Sequence, residues 1–299
     1  MGKLRYAIGE ILGFLLVLLL KYRISRPIGK NQVVSIYFHN PSAVLFERCI
    51  RFLKHNGFVF VDQNELLKMI QNSGINGQKS AFISFDDGRS GNLKLLPVIE
   101  KYKIPVTLFI AVEPIINGNF WWEYVDVIKT LTPDVKTVED LKKMPNQERM
   151  KWVSKAKMVQ SLDRSALTRR ELMSLRRHPL ITIGSHTFHH PITVNCNDKE
   201  LLSEYMNSKR ILEYWMNRPM EALSFPNGDY NERDLFFLKI TGYKMAFTTK
   251  PNFVDEHSNT LEIPRFSVND EGGKYENIAK MFGLWQRYID PLKGRFWGN

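Results

Sequence analysis

The sequence has few of the features that mark small disulfide-linked or zinc-finger proteins. Only two cysteines occur among its 299 residues, Cys49 and Cys196, and neither lies in a Cys-x-x-Cys pair. This excludes a disulfide scaffold and a cysteine-ligated zinc site. The sequence also lacks internal repeats and low-complexity tracts, and 43% of its residues are apolar, which excludes global disorder. Length and composition fit one large globular domain or two small ones.

A dense basic tract is also missing, although the formal net charge is +11. The positive residues are spread along the chain and are interpreted as solvated helix faces. No basic segment interleaved with aromatic residues is present, so we expect no nucleic-acid partner.

The N-terminus has an apolar run that is short for a membrane span. It covers Tyr6–Leu20 and contains Glu10, whereas a spanning helix needs about 20 apolar residues. Basic residues flank both ends, and no small-residue cleavage site follows. We predict an uncleaved membrane-associating helix within residues 1–30, with association through residues 4–22 and a membrane-associated protein. A helix packed on the domain or on a partner, in a cytoplasmic protein, is the alternative.

Short β-branched or aromatic runs alternate with helical patterns after residue 30. This alternation predicts parallel βαβ units. About seven strands favour a closed or nearly closed α/β barrel over residues 31–299, with functional residues at the carboxyl ends of the strands; an open doubly wound sheet is the alternative. The predicted strands are Val33–Phe38, Ala81–Phe85, Val106–Val112, Ile181–Gly184, Ala222–Phe225, Met245–Thr249 and Ile263–Val268.

A long polar insertion follows the third predicted strand. It extends over Glu113–Ser165 and contains Trp121-Trp122-Glu123 near its start. Insertions at that end of a barrel often shape the substrate site, so Trp121 and Trp122 are predicted to bind substrate. The alternative is that both tryptophans anchor the insertion on the barrel.

Two adjacent carboxylates end the second predicted strand, in Asp86-Asp87-Gly88. Gly88 allows a turn that brings both carboxylates to one site. Two acids this close need a cation or a proton between them. The motif therefore predicts either a metal site or, in the simpler interpretation, a turn.

Histidines end another strand, in His186-Thr187-Phe188-His189-His190-Pro191. His186 and His190 are spaced i, i+4, which places two imidazoles on one face of a helical turn. Neutral imidazoles suit zinc or a similar divalent metal, and one aspartate with two histidines leaves positions open for water and substrate.

A third strand ends in Pro226-Asn227-Gly228, a tight turn. Such a turn can aim a backbone N–H into a site as an oxyanion donor. Pro226 and Asn227 are therefore predicted to contact substrate.

Together these motifs resemble the polysaccharide deacetylase family, the NodB-like group of carbohydrate esterase family 4. The resemblance rests on Phe85-Asp86-Asp87-Gly88, His186-Thr187-x-x-His190-Pro191 and Phe225-Pro226-Asn227-Gly228, and covers roughly residues 33–270. It implies a distorted seven-stranded (β/α) barrel. It also implies that Asp87, His186 and His190 hold the metal, that Asp86 is the general base, and that the Asn227 N–H binds the oxyanion.

The sequence departs from the family pattern at two positions. Ser224 stands where relatives often have an arginine that orients the base, and Arg265 is predicted to supply that charge. The family's late histidine, usually the general acid, is missing. His39 is predicted to act as acid or substrate ligand, with His189 as a second possibility.

The predicted function is metal-dependent hydrolysis of N-acetyl groups on amino sugars of an exopolysaccharide, capsule or lipid-linked glycan. Zn²⁺ is the expected cofactor. The alternatives are a non-catalytic glycan-binding relative, or a hydrolase of another amide or of an O-acetyl ester.

Overall fold

The structure, a computed structural model, describes residues 2–24, 32–71 and 78–292. Eight short strands form in this part of the chain, and those at the centre of the sheet are buried along their whole length. They are β1 Val33–Phe38, β2 Val59–Phe60, β3 Ser80–Phe85, β4 Val106–Ile110, β5 Ile181–Ser185, β6 Ala222–Ser224, β7 Met245–Phe247 and β8 Phe266–Ser267.

Helices connect successive strands and cover the sheet. They are α1 Gly2–Ile24, α2 Ala43–His55, α3 Gln63–Gln71, α4 Leu96–Tyr102, α5 Val112–Asn117, α6 Val125–Leu131, α7 Val138–Lys143, α8 Asn146–Val159, α9 Arg169–Ser174, α10 Asp198–Met216, α11 Glu232–Ile240, α12 Lys274–Met281 and α13 Leu284–Tyr288.

The strands pair in parallel in the order β7-β6-β5-β4-β3-β1-β8, and β2 pairs with β3. This confirms the predicted parallel α/β architecture, as a sheet that curves into a half barrel. The chain that enters β8 also bridges to β7, because Ile263 lies opposite Phe247 in a single parallel bridge. The gap between β7 and β8 is therefore narrowed by residues 263–267.

Aromatic side chains fill the inside of the curved sheet. Phe82 stacks on Phe247 with ring centroids 5.1 Å apart, and Phe109 lies 5.1 Å from the same ring. All three side chains are buried. They form an apolar floor below the carboxyl ends of the strands.

The predicted insertion between β4 and β5 forms helices α5 to α8 and a small core of its own. Trp121, Ile128, Leu141 and Val153 are among the buried residues of that core. The insertion is thus an ordered unit held at the carboxyl end of β4.

Helix α1 is packed on the domain, which was the alternative to the predicted membrane-associating helix. It packs on α12, and Leu16 is buried in the main core. No helix within the described ranges combines the length and apolarity needed to cross a membrane. Residues 25–30 of the predicted N-terminal segment lie outside the described residues.

Candidate active site

Asp86 and Asp87 lie where β3 ends, and both are buried. Asp87 has φ 76° and Gly88 has φ 86°, so the chain turns sharply after the strand. A Cβ at position 88 would lie 2.9 Å from Ile110 Cδ1. Glycine is therefore required here for its left-handed backbone and for space, and the turn directs both carboxylates toward one site.

Two imidazoles from the end of β5 meet the Asp87 carboxylate. Asp87 Oδ1 lies 3.5 Å from His186 Nε2 and 3.4 Å from His190 Nε2. The three side chains are buried, and one ligand atom of each lies within 4.8 Å of the others. The structure therefore brings together the three residues predicted to hold a metal.

The unsatisfied polar atoms of this cluster fit a cation. Asp87 Oδ1 is buried without a hydrogen-bond partner in the described structure, which is costly unless a cation faces it. His186 Nδ1 lies 2.7 Å from the Ser224 carbonyl oxygen. Donation to that carbonyl leaves Nε2 with a free lone pair, as a metal ligand needs. One aspartate and two histidines are a donor set suited to Zn²⁺ or a similar ion.

The protonation states also suit a cation. Burial lowers the pKa of His190 to about 4, so its imidazole is neutral at pH 7. Burial by itself would raise the pKa of Asp87, but the neighbouring His186 and His190 outweigh it and hold that pKa well below its usual value. Asp87 is therefore a carboxylate beside the neutral imidazole of His190, the form in which these two residue types bind metals.

Arg265, which directly precedes β8, forms an ion pair with Asp86 at the end of β3. Its Nη1 and Nη2 donate to the two carboxylate oxygens at 2.8 Å each. Ser224 Oγ accepts from Arg265 Nη2 at 2.7 Å and donates to Asp86 Oδ2 at 3.2 Å. The serine at the position of the family arginine thus joins the pair, and Arg265 brings the charge from the segment before β8.

The guanidinium of Arg265 is fully buried and lies above the aromatic floor. Its Cζ is 4.4 Å from the ring centroid of Tyr37, and 5.6 and 5.7 Å from those of Phe109 and Phe247. Its Nε donates to the Thr248 carbonyl at 3.0 Å. These contacts fix the plane of the guanidinium, and so fix the orientation of the Asp86 carboxylate.

His39 and the Asn227 turn border the same site. His39 is exposed at the end of β1, and its charge reaches Asp86 and Asp87, whose pKa values it lowers. Pro226 is buried, whereas Asn227 is exposed with φ 59°. A Cβ at Gly228 would overlap Thr249 Oγ1. The turn is therefore closely packed where Gly228 meets Thr249, whereas Asn227 is open to solvent.

The two tryptophans differ in exposure. Trp121 is buried, and its Nε1 donates to the His190 carbonyl at 2.8 Å. Trp122 is partly exposed, and its ring centroid lies 4.6 Å from that of His190. Trp121 therefore supports the His190 backbone, and Trp122 keeps a ring surface that a substrate can reach.

Sequence reasoning missed Glu204, a buried carboxylate of α10. Its Oε2 accepts from the backbone N–H groups of Phe188 and His189 at 2.9 and 2.8 Å, and its Oε1 lies 2.6 Å from His189 Nδ1. Glu204 therefore holds the loop between His186 and His190, and both Thr187 and His190 have positive φ. No motif marks it, because it lies 14 residues beyond His190 on the next helix.

Sequence reasoning also missed Arg89. Its Nε donates to Asp87 Oδ2 at 3.3 Å and its Nη1 to Glu123 Oε1 at 2.9 Å. Glu123 also accepts from the Phe120 N–H and from Ser165 Oγ. Arg89 thus links the Asp87 carboxylate to both ends of the insertion. Its position directly after Asp86-Asp87-Gly88 was the available signal.

Comparison with known proteins gives the family. The model of the family described as polysaccharide deacetylase matches residues 73–246, more than half of the chain. The chain belongs to the polysaccharide deacetylase family. The match includes the Asp86-Asp87-Gly88, His186–His190 and Asn227 motifs, so the resemblance stated from the sequence is confirmed.

Individual polysaccharide deacetylases are distant in sequence. The chain is 22% identical to YxkH of Bacillus subtilis over 225 residues. This aligned region covers 75% of this chain and 64% of YxkH. It is 24% identical over 236 residues to the poly-β-1,6-N-acetyl-D-glucosamine N-deacetylase of Staphylococcus aureus, with 79% of this chain and 69% of that protein covered.

Solved structures share the fold. The deacetylase PplD of Streptococcus pyogenes, in complex with acetate, superposes with a TM-score of 0.62 at 15% identity over 84% of this chain and 98% of that chain. IcaB from Ammonifex degensii gives a TM-score of 0.62 at 16% identity over 83% and 96%.

Proposed function

We propose that this chain removes N-acetyl groups from the amino sugars of a glycan by metal-dependent hydrolysis. The proposal rests on Asp86, whose carboxylate is fixed by Arg265 and lies directly next to a cluster of one buried aspartate and two histidines. A base and a cation site that share one strand end are what amide hydrolysis needs.

The proposed cofactor is Zn²⁺, held by Asp87, His186 and His190. When bound, it would supply Lewis-acid chemistry by polarising the acetamide carbonyl and making nearby water more acidic. Asp86 then accepts the proton of the attacking water, because Arg265 keeps it ionised and oriented. The Asn227 N–H stabilises the developing oxyanion, and His39 donates a proton to the departing amine.

The proposed substrate is a polymer or oligomer of N-acetylhexosamine. Support comes from the Staphylococcus aureus relative, whose name gives poly-β-1,6-N-acetyl-D-glucosamine as its substrate. The exposed rim formed by His39, Trp122 and Asn227 offers an aromatic ring and polar groups, the combination that binds sugar rings.

The test is acetate release by the full chain from β-1,6-linked and β-1,4-linked N-acetylglucosamine oligomers, after chelation and after Zn²⁺ is added back. We expect Zn²⁺-dependent release that is faster on the β-1,6-linked oligomers. Asp86→Asn should keep Zn²⁺ binding and lose release by about a hundredfold or more. Asp87→Asn, the matched neighbour, should lose Zn²⁺ binding as well.

Other outcomes would redirect the assignment. Zn²⁺ binding without acetate release from either oligomer would favour a glycan-binding relative, and release from an O-acetylated sugar alone would favour an esterase. A fully active Asp86→Asn protein would contradict the assignment of the base.

A further inference from the structure

Helix α1 has two opposite faces. At about 100° per residue, Gly9 and Gly13 lie on one side of the helix, about 40° apart. Four exposed leucine and isoleucine residues lie on the other side within an arc of about 60°. Tyr6 and Phe14 are also exposed but lie outside that arc. We call this second face the apolar stripe; it consists of Leu4, Ile11, Leu15 and Leu18.

The glycine face is docked on α12. A Cβ at Gly13 would overlap the backbone nitrogen of Glu276, and a Cβ at Gly9 would overlap the Glu276 carboxylate. Only glycine allows this close approach of two helices. Leu16, one turn further on, is buried in the main core. This face is therefore fitted to the barrel.

A carboxylate secures the same contact. Glu10 Oε1 accepts from the backbone N–H groups of Tyr275 at 2.8 Å and of Glu276 at 3.2 Å. These groups open the first turn of α12, where free N–H groups and the helix dipole favour an anion. Glu10 is the only acidic residue among residues 1–31, and it is turned toward the protein.

The apolar stripe faces away from the barrel. Leu4 is 70%, Ile11 62% and Leu15 52% exposed. A continuous row of exposed leucine and isoleucine on one helix face marks an interaction surface.

The charge around the apolar stripe indicates what covers it. Residues 1–31 contain six basic residues against the single, inward-turned Glu10. Arg5 is directed toward α12, because it donates to the Glu271 carbonyl and lies 3.8 Å from Glu276 Oε1. The other five flank the apolar stripe in the sequence: Lys3, Lys21, Arg23, Arg26 and Lys30. An apolar helix face with basic flanks binds anionic lipid surfaces through both hydrocarbon burial and headgroup attraction.

We propose that α1 lies flat on an anionic lipid surface through its apolar stripe while its glycine face stays docked on α12. Glu10 makes the docked state and a membrane-crossing state mutually exclusive, because crossing would remove its carboxylate from the first turn of α12. The helix therefore holds the barrel in a fixed orientation on the lipid surface.

The test is co-sedimentation of the full chain with vesicles of phosphatidylglycerol and phosphatidylcholine, compared with phosphatidylcholine alone. We expect binding to the anionic vesicles that weakens as salt rises. The affinity of the double variant Ile11→Glu/Leu15→Glu for these vesicles should fall by about tenfold or more. Met158→Glu, at an 87% exposed apolar residue of α8, is the control and should bind like the unmodified chain.

Any one of the following results would overturn the proposal. The unmodified chain could fail to bind anionic vesicles, or the double variant could bind them equally well. The chain could also self-associate in size-exclusion chromatography through the apolar stripe, which would assign the stripe to a second copy. Gly13→Leu tests the docked face: it should lower the melting temperature and leave vesicle binding in place, and an unchanged melting temperature would contradict docking.

Discussion

A carboxylate that serves as a base must stay ionised even where water is largely excluded. Burial by itself would raise the pKa of Asp86, but Arg265, His186 and His39 outweigh it, so the pKa lies below its ordinary value of 3.8. Because the folded-state pKa is depressed, the Asp86–Arg265 pair stabilises the fold at pH values above the unfolded-state pKa, and this contribution is lost as pH falls through the folded-state pKa.

Ser224→Ala should move the acidic limb of the pH profile of kcat/KM to higher pH. The change removes the hydroxyl that donates to Asp86 Oδ2, and a carboxylate with fewer donors has a higher pKa. Arg265→Gln should shift the limb further but also destabilise the fold by about 3–5 kcal/mol, because it leaves a buried charge unpaired. Ser35→Ala, at a buried serine of β1, is the control, and an equal shift there would rule out a specific effect.

Glu204→Gln should weaken Zn²⁺ binding by about 10- to 100-fold with little change in melting temperature. The amide keeps the size of the side chain but has one acceptor oxygen in place of the carboxylate that holds the loop between His186 and His190. Losses of this size follow mutation of residues that orient metal ligands. Isothermal titration calorimetry with Zn²⁺ measures the effect.

Glu213→Gln, another glutamate of α10, is the matched control for this variant. It lies near the carboxyl end of the same helix, where its Oε1 accepts from the Met220 N–H. If both variants bound Zn²⁺ equally, Glu204 would have no positioning role.

The residues found from sequence and those missed differ in how they reach the site. Asp87, His186 and His190 follow strand ends, and parallel strands bring their carboxyl ends together, so their meeting could be predicted. Glu204 reaches the loop from the middle of a helix, through a packing angle that no local pattern encodes. Arg265 was predicted only because Ser224 left a charge missing from the family pattern.

At the scale of elements, glycines with positive φ form turns at both ends of the strands: Gly228 follows β6 and Gly242 precedes β7. Gly228 has φ 81° with Thr249 Oγ1 in the place of a Cβ, and Gly242 has φ 77° with open space around it. We expect Gly228→Ala to destabilise the fold clearly more than Gly242→Ala, which should cost about 1–2 kcal/mol for its backbone alone. Thermal melts compare the two, and equal losses would show that the Asn227 turn can shift without cost.

The parallel pairing of the strands was predicted from the sequence, whereas the edges of the sheet were not. The long buried runs of β1, β3 and β4 carry a clear apolar pattern. The two residues of β2 are too few to show a period, so this strand was missed. β7 ends at Phe247 and not at Thr249 as predicted, because Thr248 and Lys250 turn to provide carbonyl oxygens for Arg265.

At the scale of the whole molecule, a bound cation should stabilise the fold. Zn²⁺ at about a thousand times its Kd adds about 4 kcal/mol if it binds the folded chain alone. We therefore expect the melting temperature of the chelated chain to rise by several degrees when Zn²⁺ is added. His190→Ala should not respond, and an equal rise there would place the ion elsewhere.

The predicted boundary at residue 30, between the N-terminal helix and the barrel domain, stays a prediction. Helix α1 nevertheless packs on α12, which lies near the other end of the sequence. Its glycine face contacts Glu276 of α12, so α1 and α12 support each other although they are far apart in the sequence. Such contacts bring distant chain segments together at an entropic cost that increases slowly with separation.

The position of Arg265 has a consequence for the chain during its synthesis. A ribosome releases Asp86, Asp87 and both histidines long before Arg265, which lies 179 residues after Asp86. Because a domain generally folds as a unit, the site is completed only after Arg265 has emerged and paired with Asp86. Fragments that end before Pro264 would therefore lack the guanidinium that orients Asp86, and the proposed hydrolysis would begin only when β8 pairs with β1.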